Sequence, residues 1–133
     1  MKKSILIIDD NPENCEDYIE PLREYYNVIV SMTIRDALRR IKFYDFDLIV
    51  IDIMMPTNGI DNTDDLKTGL FLYDEKLKSL EINSKLQYLF WSNLSQDTYN
   101  EHFAAFKPNN VEFAHKETKN KKHLLEKVNQ LIG

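Results

Sequence analysis

Short apolar segments alternate with segments of helical spacing along the chain, and this alternation restricts the fold more than any other feature of the sequence. The apolar segments are residues 5–8, 28–30, 48–53, 86–91 and 111–114. Several are apolar at consecutive positions, as expected for strands that are covered on both faces. We therefore expect five short, buried β-strands.

Between and after these strands, apolar residues recur at helical spacing. The predicted helices cover residues 13–26, 33–43, 68–80, 95–106 and 118–132. Strands that alternate with helices pair in parallel through right-handed crossovers. The order predicts one α/β domain over residues 1–133, a flavodoxin-like (βα)5 sandwich with a parallel five-stranded sheet in the order 2-1-3-4-5. Pro21 lies inside the first helical pattern, so that helix must be kinked or shorter than drawn.

Charge and composition exclude several classes of protein. The chain has 133 residues and a formal net charge of −5, which disfavours nucleic-acid binding because that binding relies on cations facing phosphates. A single cysteine, Cys15, allows no internal disulfide. No apolar run approaches the ~18 residues of a membrane span, and residues 1–10 lack the features of a signal peptide. A cytoplasmic protein is expected.

Polar and charged residues stand where four of the predicted strands end. Asp9 and Asp10 follow strand 1, Asp52 lies at the end of strand 3, Ser92 follows strand 4 and Lys116 follows strand 5. In a doubly wound sheet, ligands bind beyond these carboxyl ends. Clustered carboxylates attract a hard cation such as Mg²⁺, and a lysine and a hydroxyl beside them suit phosphoryl transfer. Asp52 is the candidate nucleophile.

These residues carry a resemblance to a known family. The segments 5–11 (Ile-Leu-Ile-Ile-Asp-Asp-Asn) and 48–56 (Leu-Ile-Val-Ile-Asp-Ile-Met-Met-Pro), with Ser92 and Lys116, resemble the CheY-like receiver domain of two-component response regulators. The resemblance covers essentially the whole chain. It implies a signalling switch that is phosphorylated on an aspartate and that catalyses at most its own phosphorylation and dephosphorylation.

The family pattern implies a role for each acid. Asp52 corresponds to the phosphoacceptor and is also a ligand of Mg²⁺. Asp10 corresponds to the direct metal ligand, and Asp9 acts on the metal mainly through water. Met54 would contribute its backbone carbonyl to the same ion. The implied donor is a phosphohistidine on a histidine kinase or a histidine phosphotransfer protein.

The resemblance also implies the parts of the switch. Lys116 would pair with the carboxylate and then with the phosphoryl oxygens, while the Ser92 hydroxyl would move toward the phosphoryl group. Phe113 would rotate inward to fill the space that Ser92 leaves. The surface of strand 4, helix 4, strand 5 and helix 5 would then signal to a downstream protein. A homodimer is left open.

Two departures from the family pattern concern loops near the site. Glu117 follows Lys116 where the family often has proline, which makes a cis peptide bond there unfavourable. Residues 56–67 form a long polar connection. As a result, the glycine that the family has at the start of the third helix corresponds to Gly69, later in the sequence than usual. We expect this loop to contact a partner or to shield the site.

Other functions are weighed against the switch. A degenerate receiver that acts only as an interaction module would have the same fold without phosphorylation. A small phosphatase with an aspartate nucleophile usually has a second acid two residues later, whereas Met54 stands there in this chain. Met54 and Leu94 lie two residues after Asp52 and Ser92, where the resemblance implies control of dephosphorylation. Both are apolar, so slow self-dephosphorylation is expected.

Overall fold

A parallel sheet forms the centre of the protein. The structure is a computed structural model that describes residues 2–9, 16–52, 86–92, 111–116 and 121–133. The five strands are β1 (Ser4–Ile8), β2 (Asn27–Ser31), β3 (Leu48–Ile51), β4 (Gln87–Ser92) and β5 (Val111–His115). They pair in parallel in the order β2-β1-β3-β4-β5. The predicted fold class and strand order are confirmed.

The register brings the carboxyl ends of neighbouring strands to one edge of the sheet. Ile8 at the end of β1 pairs with Ser31 on one side and with Ile51 on the other. On the far side of β3, Ser92 pairs with His115. Asp9 and Asp52, which follow β1 and β3, therefore start from the same level, and Lys116 follows β5 two register positions further along at the same edge. This arrangement permits a shared site.

The first α-helix ends earlier than its apolar pattern predicts. The α-helix α1 covers Glu16–Ile19 and continues as a 3₁₀-helix over Glu20–Glu24. Pro21 explains the change, because proline has no N–H to donate and its ring obstructs the α-helical interior. Ile19, Leu22 and Tyr26, which recur at helical spacing along this segment, are nevertheless buried.

Two longer helices are described. Helix α2 covers Ile34–Phe43 and begins at Thr33, whose hydroxyl accepts a hydrogen bond from the Asp36 amide at 3.1 Å. Helix α3 covers His123–Ile132. The predicted helices over residues 68–80 and 95–106, and the long connection 56–67, lie outside the described residues. Across the described ranges, no helix combines the length and apolar character that crossing a membrane requires.

One face of the sheet packs against α1, the 3₁₀-helix and α3. This core contains alternate residues of the strands and the inward residues of the helices: Ile5, Ile7, Leu48, Val50, Leu89, Trp91, Ala114, Tyr18, Ile19, Leu22, Tyr26, Leu124, Val128 and Ile132. Side chains alternate between faces along a strand. Asp9, Asp52 and Lys116 each lie two positions beyond a residue of this core, so they continue the same face past the strand ends.

Candidate functional site

The backbone fixes the two described acids at the edge of the sheet. The Asp9 amide donates a hydrogen bond to the Ser31 carbonyl at 3.0 Å, and the Asp52 amide donates to the Ile8 carbonyl at 2.9 Å. The strand β3 ends at Ile51, two residues earlier than its sequence pattern predicts, so Asp52 directly follows the strand. Each acid thus extends the hydrogen-bonded ladder by one residue and emerges at the edge where ligands bind.

Lys116 joins the two acids across the sheet. Its Nζ donates a hydrogen bond to Asp9 Oδ2 at 3.1 Å and lies 3.5 Å from Asp52 Oδ2. The three residues are separated by 43 positions or more in sequence, and they follow β1, β3 and β5, respectively. The structure therefore brings together three of the residues that the sequence places at the strand ends.

Because these three side chains are largely shielded from water, their charges interact more strongly than surface charges do. The Asp9 side chain is 2% exposed, that of Asp52 10% and that of Lys116 11%. Attraction between charges increases as water is excluded, and an uncompensated buried charge is strongly unfavourable. Asp9 and Asp52 carry two formal negative charges and Lys116 one positive charge. Their carboxylate oxygens are the donor type that a hard divalent cation prefers.

Trp91 lies beside the same ammonium, a contact that we did not predict. The Lys116 Nζ is positioned over the Trp91 ring, 4.9 Å from its centroid. Trp91 is 1% exposed and lies opposite Ala114 in the β4–β5 register, two residues before Lys116. One sequence signal could have indicated this contact. Trp91 is a large aromatic residue near the end of β4, and β4 is the neighbour of β5, which Lys116 follows.

Other predicted site residues are described only in part or not at all. Asp10 and Met54, predicted as metal ligands, lie outside the described residues, as does Glu117. Ser92 is described in its backbone, as the last residue of β4. Phe113 is half-buried on β5, opposite Phe90. In the part of the chain that the structure describes, no three His, Cys, Asp or Glu side chains form a metal-binding group.

A second polar cluster lies next to the site, where β2 leads into α2. The buried Ser31 hydroxyl donates to Asp36 Oδ2 at 2.8 Å. Arg39 and Arg40 also donate to the Asp36 carboxylate, at 2.6 and 2.9 Å. The hydrogen bonds from Arg39, Ser31 and Arg40 lower the pKa of Asp36 to about 2. Because the Ser31 carbonyl also accepts from the Asp9 amide, this cluster supports the backbone beside the site.

Sequence comparison relates the chain to signalling proteins. Residues 5–70 match the family described as response regulator receiver domain. A probable cyclic di-GMP phosphodiesterase from Vibrio cholerae serotype O1 is 36% identical over 53 residues. That match spans 40% of this chain and 12% of the relative's length.

Solved structures extend the similarity in fold to nearly the whole chain. The chemotaxis protein CheY4 of Vibrio cholerae is 17% identical with a TM-score of 0.73, and the match covers 99% of this chain and 100% of that one. The response regulator TrrA of Thermotoga maritima, in complex with Mg²⁺ and BeF, is 25% identical with a TM-score of 0.66, over 98% and 99% of the two chains. Receiver domains are phosphoacceptors in signalling rather than enzymes in the usual sense. The family match over residues 5–70 and the shared fold together support a receiver domain of response regulators.

Proposed function

We propose that this protein is a signalling switch that accepts a phosphoryl group on Asp52 from a phosphohistidine donor. The observation that carries the proposal is the Lys116 ammonium, on a side chain only 11% exposed, which lies within 3.5 Å of both Asp9 and Asp52 at the carboxyl edge of the sheet. Phosphoryl transfer needs positioned charge more than covalent chemistry from the protein. A fixed cation beside a carboxylate nucleophile meets that requirement.

The proposed reaction is a direct displacement at phosphorus. A carboxylate oxygen of Asp52 forms the new P–O bond while the P–N bond to the donor histidine breaks. The imidazole nitrogen keeps the electron pair of the broken bond, and the product is an aspartyl-phosphate. Lys116 offsets the negative charge on the transferred oxygens, which is most effective where water is excluded.

The donor set fits a divalent cation as a further part of this site. Asp9 and Asp52 present buried carboxylate oxygens, and their two negative charges exceed the single positive charge of Lys116. When bound, Mg²⁺ would neutralise charge on the transferred group. We propose that Asp9, Asp10 and Asp52, with the backbone carbonyl of Met54, hold the Mg²⁺ ion, as the family pattern implies.

The proposed output is a change of surface. Phosphorylated Asp52 carries additional negative charge, which attracts the Ser92 hydroxyl and Lys116. The half-buried Phe113 then repacks, and the surface around β4, the predicted fourth helix, β5 and α3 changes its affinity for a downstream protein. The proposed donor is a histidine kinase or a histidine phosphotransfer protein.

A mass measurement tests the proposal. The protein is incubated with Mg²⁺ and acetyl phosphate, and the intact chain is weighed; a gain of about 80 Da corresponds to one phosphoryl group. We expect the gain in the wild type and in Asp45→Asn, a matched change of an exposed acid before β3, but not in Asp52→Asn. A folded wild type that gains no mass would reject the switch and favour the phosphorylation-independent interaction module. A gain that persists in Asp52→Asn would place the acceptor elsewhere.

A further inference from the structure

We propose that Trp91 is a positioning residue of this site and that its indole face holds the Lys116 ammonium in place between Asp9 and Asp52. This inference rests on the proposed phosphoryl transfer to Asp52. It adds a residue that neither the family pattern nor the charge pattern of the chain assigns. The contact that carries it is the 4.9 Å distance from Lys116 Nζ to the Trp91 ring centroid.

The contact lies in the range of an effective cation–π interaction. A cation within about 6 Å of an aromatic centroid is attracted to the negative face of the ring, and tryptophan is the strongest of the natural rings. The attraction increases when both groups are removed from water. Trp91 is 1% exposed and the Lys116 side chain 11% exposed, so this pair belongs to the desolvated class.

The ring is itself held rigidly, which a positioning group must be. Trp91 lies on β4, which pairs with β3 on one side and β5 on the other. Tyr18 of α1 packs its ring edge-to-face against Trp91, with centroids 5.3 Å apart and planes at 78°. This arrangement is favourable for aromatic pairs and limits rotation of the indole. The lysine, by contrast, has a long and flexible side chain that must be ordered.

The ring attracts the Lys116 ammonium with a strength that stays constant through the reaction, which the carboxylates cannot do. The charge on Asp52 changes when its oxygen forms the bond to phosphorus, and the proposed cation would compete with Lys116 for both acids. The Trp91 face has no role in that exchange and stays the same before and after transfer. It therefore keeps the ammonium ordered in advance, and prior ordering lowers the entropic part of the barrier.

Graded fluorination of tryptophan tests the inference with little change of shape. The chain contains one tryptophan, so growth on mono-, di- or trifluorinated tryptophan replaces Trp91 alone. Fluorine withdraws electron density from the ring and weakens its attraction for a cation. We expect the rate of phosphorylation by acetyl phosphate with Mg²⁺ to fall stepwise along the series. The expected total is about five- to thirtyfold, the rate equivalent of ~1–2 kcal/mol.

Two comparisons separate positioning from packing. The urea midpoint of the fluorinated series should fall stepwise in the wild type, and this trend should disappear in a Lys116→Met background, where no cation faces the ring. Trp91→Phe, which keeps an aromatic face, should retain more phosphorylation rate than Trp91→Leu, which keeps only apolar volume. A purely structural role would give the same fluorination trend with or without Lys116.

The outcomes distinguish the inference from the proposed function. Phosphorylation that proceeds equally fast in all fluorinated proteins would overturn the role of Trp91 and leave phosphorylation of Asp52 intact. A fluorination trend of equal slope in wild type and Lys116→Met would also overturn it. If the unlabelled wild type forms no aspartyl-phosphate, the proposed function fails first and the positioning role fails with it.

Discussion

Replacing Lys116 by methionine removes the positive charge beside Asp9 and Asp52 while keeping a side chain of similar length. The two acids then remain buried next to each other. At an effective dielectric constant of about 20, each contact at 3.1 or 3.5 Å corresponds to about 5 kcal/mol of gross attraction. Desolvation offsets part of this, and breaking a buried pair typically costs about 3–5 kcal/mol. We expect Lys116→Met to lose about 3 kcal/mol of unfolding free energy.

The assay is urea unfolding at neutral pH, with and without Mg²⁺. A matched control is Lys121→Met, because Lys121 Nζ lies 3.9 Å from Asp17 Oδ2 but the two side chains are 75% and 71% exposed. Exposed pairs contribute little, so that change should cost less than about 0.5 kcal/mol. Mg²⁺ should stabilise Lys116→Met more than the wild type, because it would replace the missing positive charge near the acids.

A double variant provides the sharpest test of the reasoning. Asp9→Asn removes one of the acids that Lys116→Met leaves without compensation, so the double variant should be more stable than Lys116→Met alone. If the double variant is less stable, repulsion between the acids is not what destabilises the single variant. A cost for Lys116→Met no larger than that for Lys121→Met would refute the electrostatic account of the site.

Further predictions concern stability, pH and lifetime. The pKa of Asp36 is about 2 against an ordinary 3.8, so its ionised form adds about 2 kcal/mol of stability, present above pH ~4 and lost as pH falls through about 2. The stability difference between wild type and Asp36→Asn should therefore shrink over that range in acid unfolding, and a constant difference would contradict the assignment. Thr33→Ala should lower the urea-derived unfolding free energy by ~1 kcal/mol through loss of the helix cap, whereas Thr33→Ser should retain most of it. On the proposed function, polar residues at both Met54 and Leu94 should speed decay of the aspartyl-phosphate, measured by mass over time; an unchanged half-life would count against water access as the control.

The sheet could be predicted from the sequence because its strands are short, β-branched runs that are apolar at consecutive positions. Buried parallel strands have this pattern in their sequence, and the crossover rules then limit the possible topologies to a few. The first helix was less predictable. Its apolar spacing continues past Pro21, while the backbone changes from α to 3₁₀ before that residue. The spacing of apolar residues indicates which face of a helix is buried. Over so short a segment an α-helix and a 3₁₀-helix bury similar faces, so the spacing does not distinguish the two helix types.

The contacts of the candidate site likewise fall into those that could be predicted from the sequence and those that could not. Asp9, Asp52 and Lys116 could be predicted to meet because parallel strands in register bring their carboxyl ends together, whatever their distance in sequence. The contact of Lys116 with Trp91 could not, because it depends on the path of a flexible lysine side chain. The link from Ser31 to Asp36 likewise depends on the angle at which α2 leaves β2. Strand order determines which residues are neighbours, and rotamers determine which atoms touch.

The position of Trp91 has an optical consequence. As the one tryptophan of the chain, it is the source of all indole fluorescence, and it lies in contact with the lysine that bridges the two acids. Movement of the ammonium or of the Tyr18 edge would alter the surroundings of the excited indole. On the proposed function, emission from the unmodified protein should therefore report ion binding and phosphorylation at the strand ends in real time, without a dye or an added label.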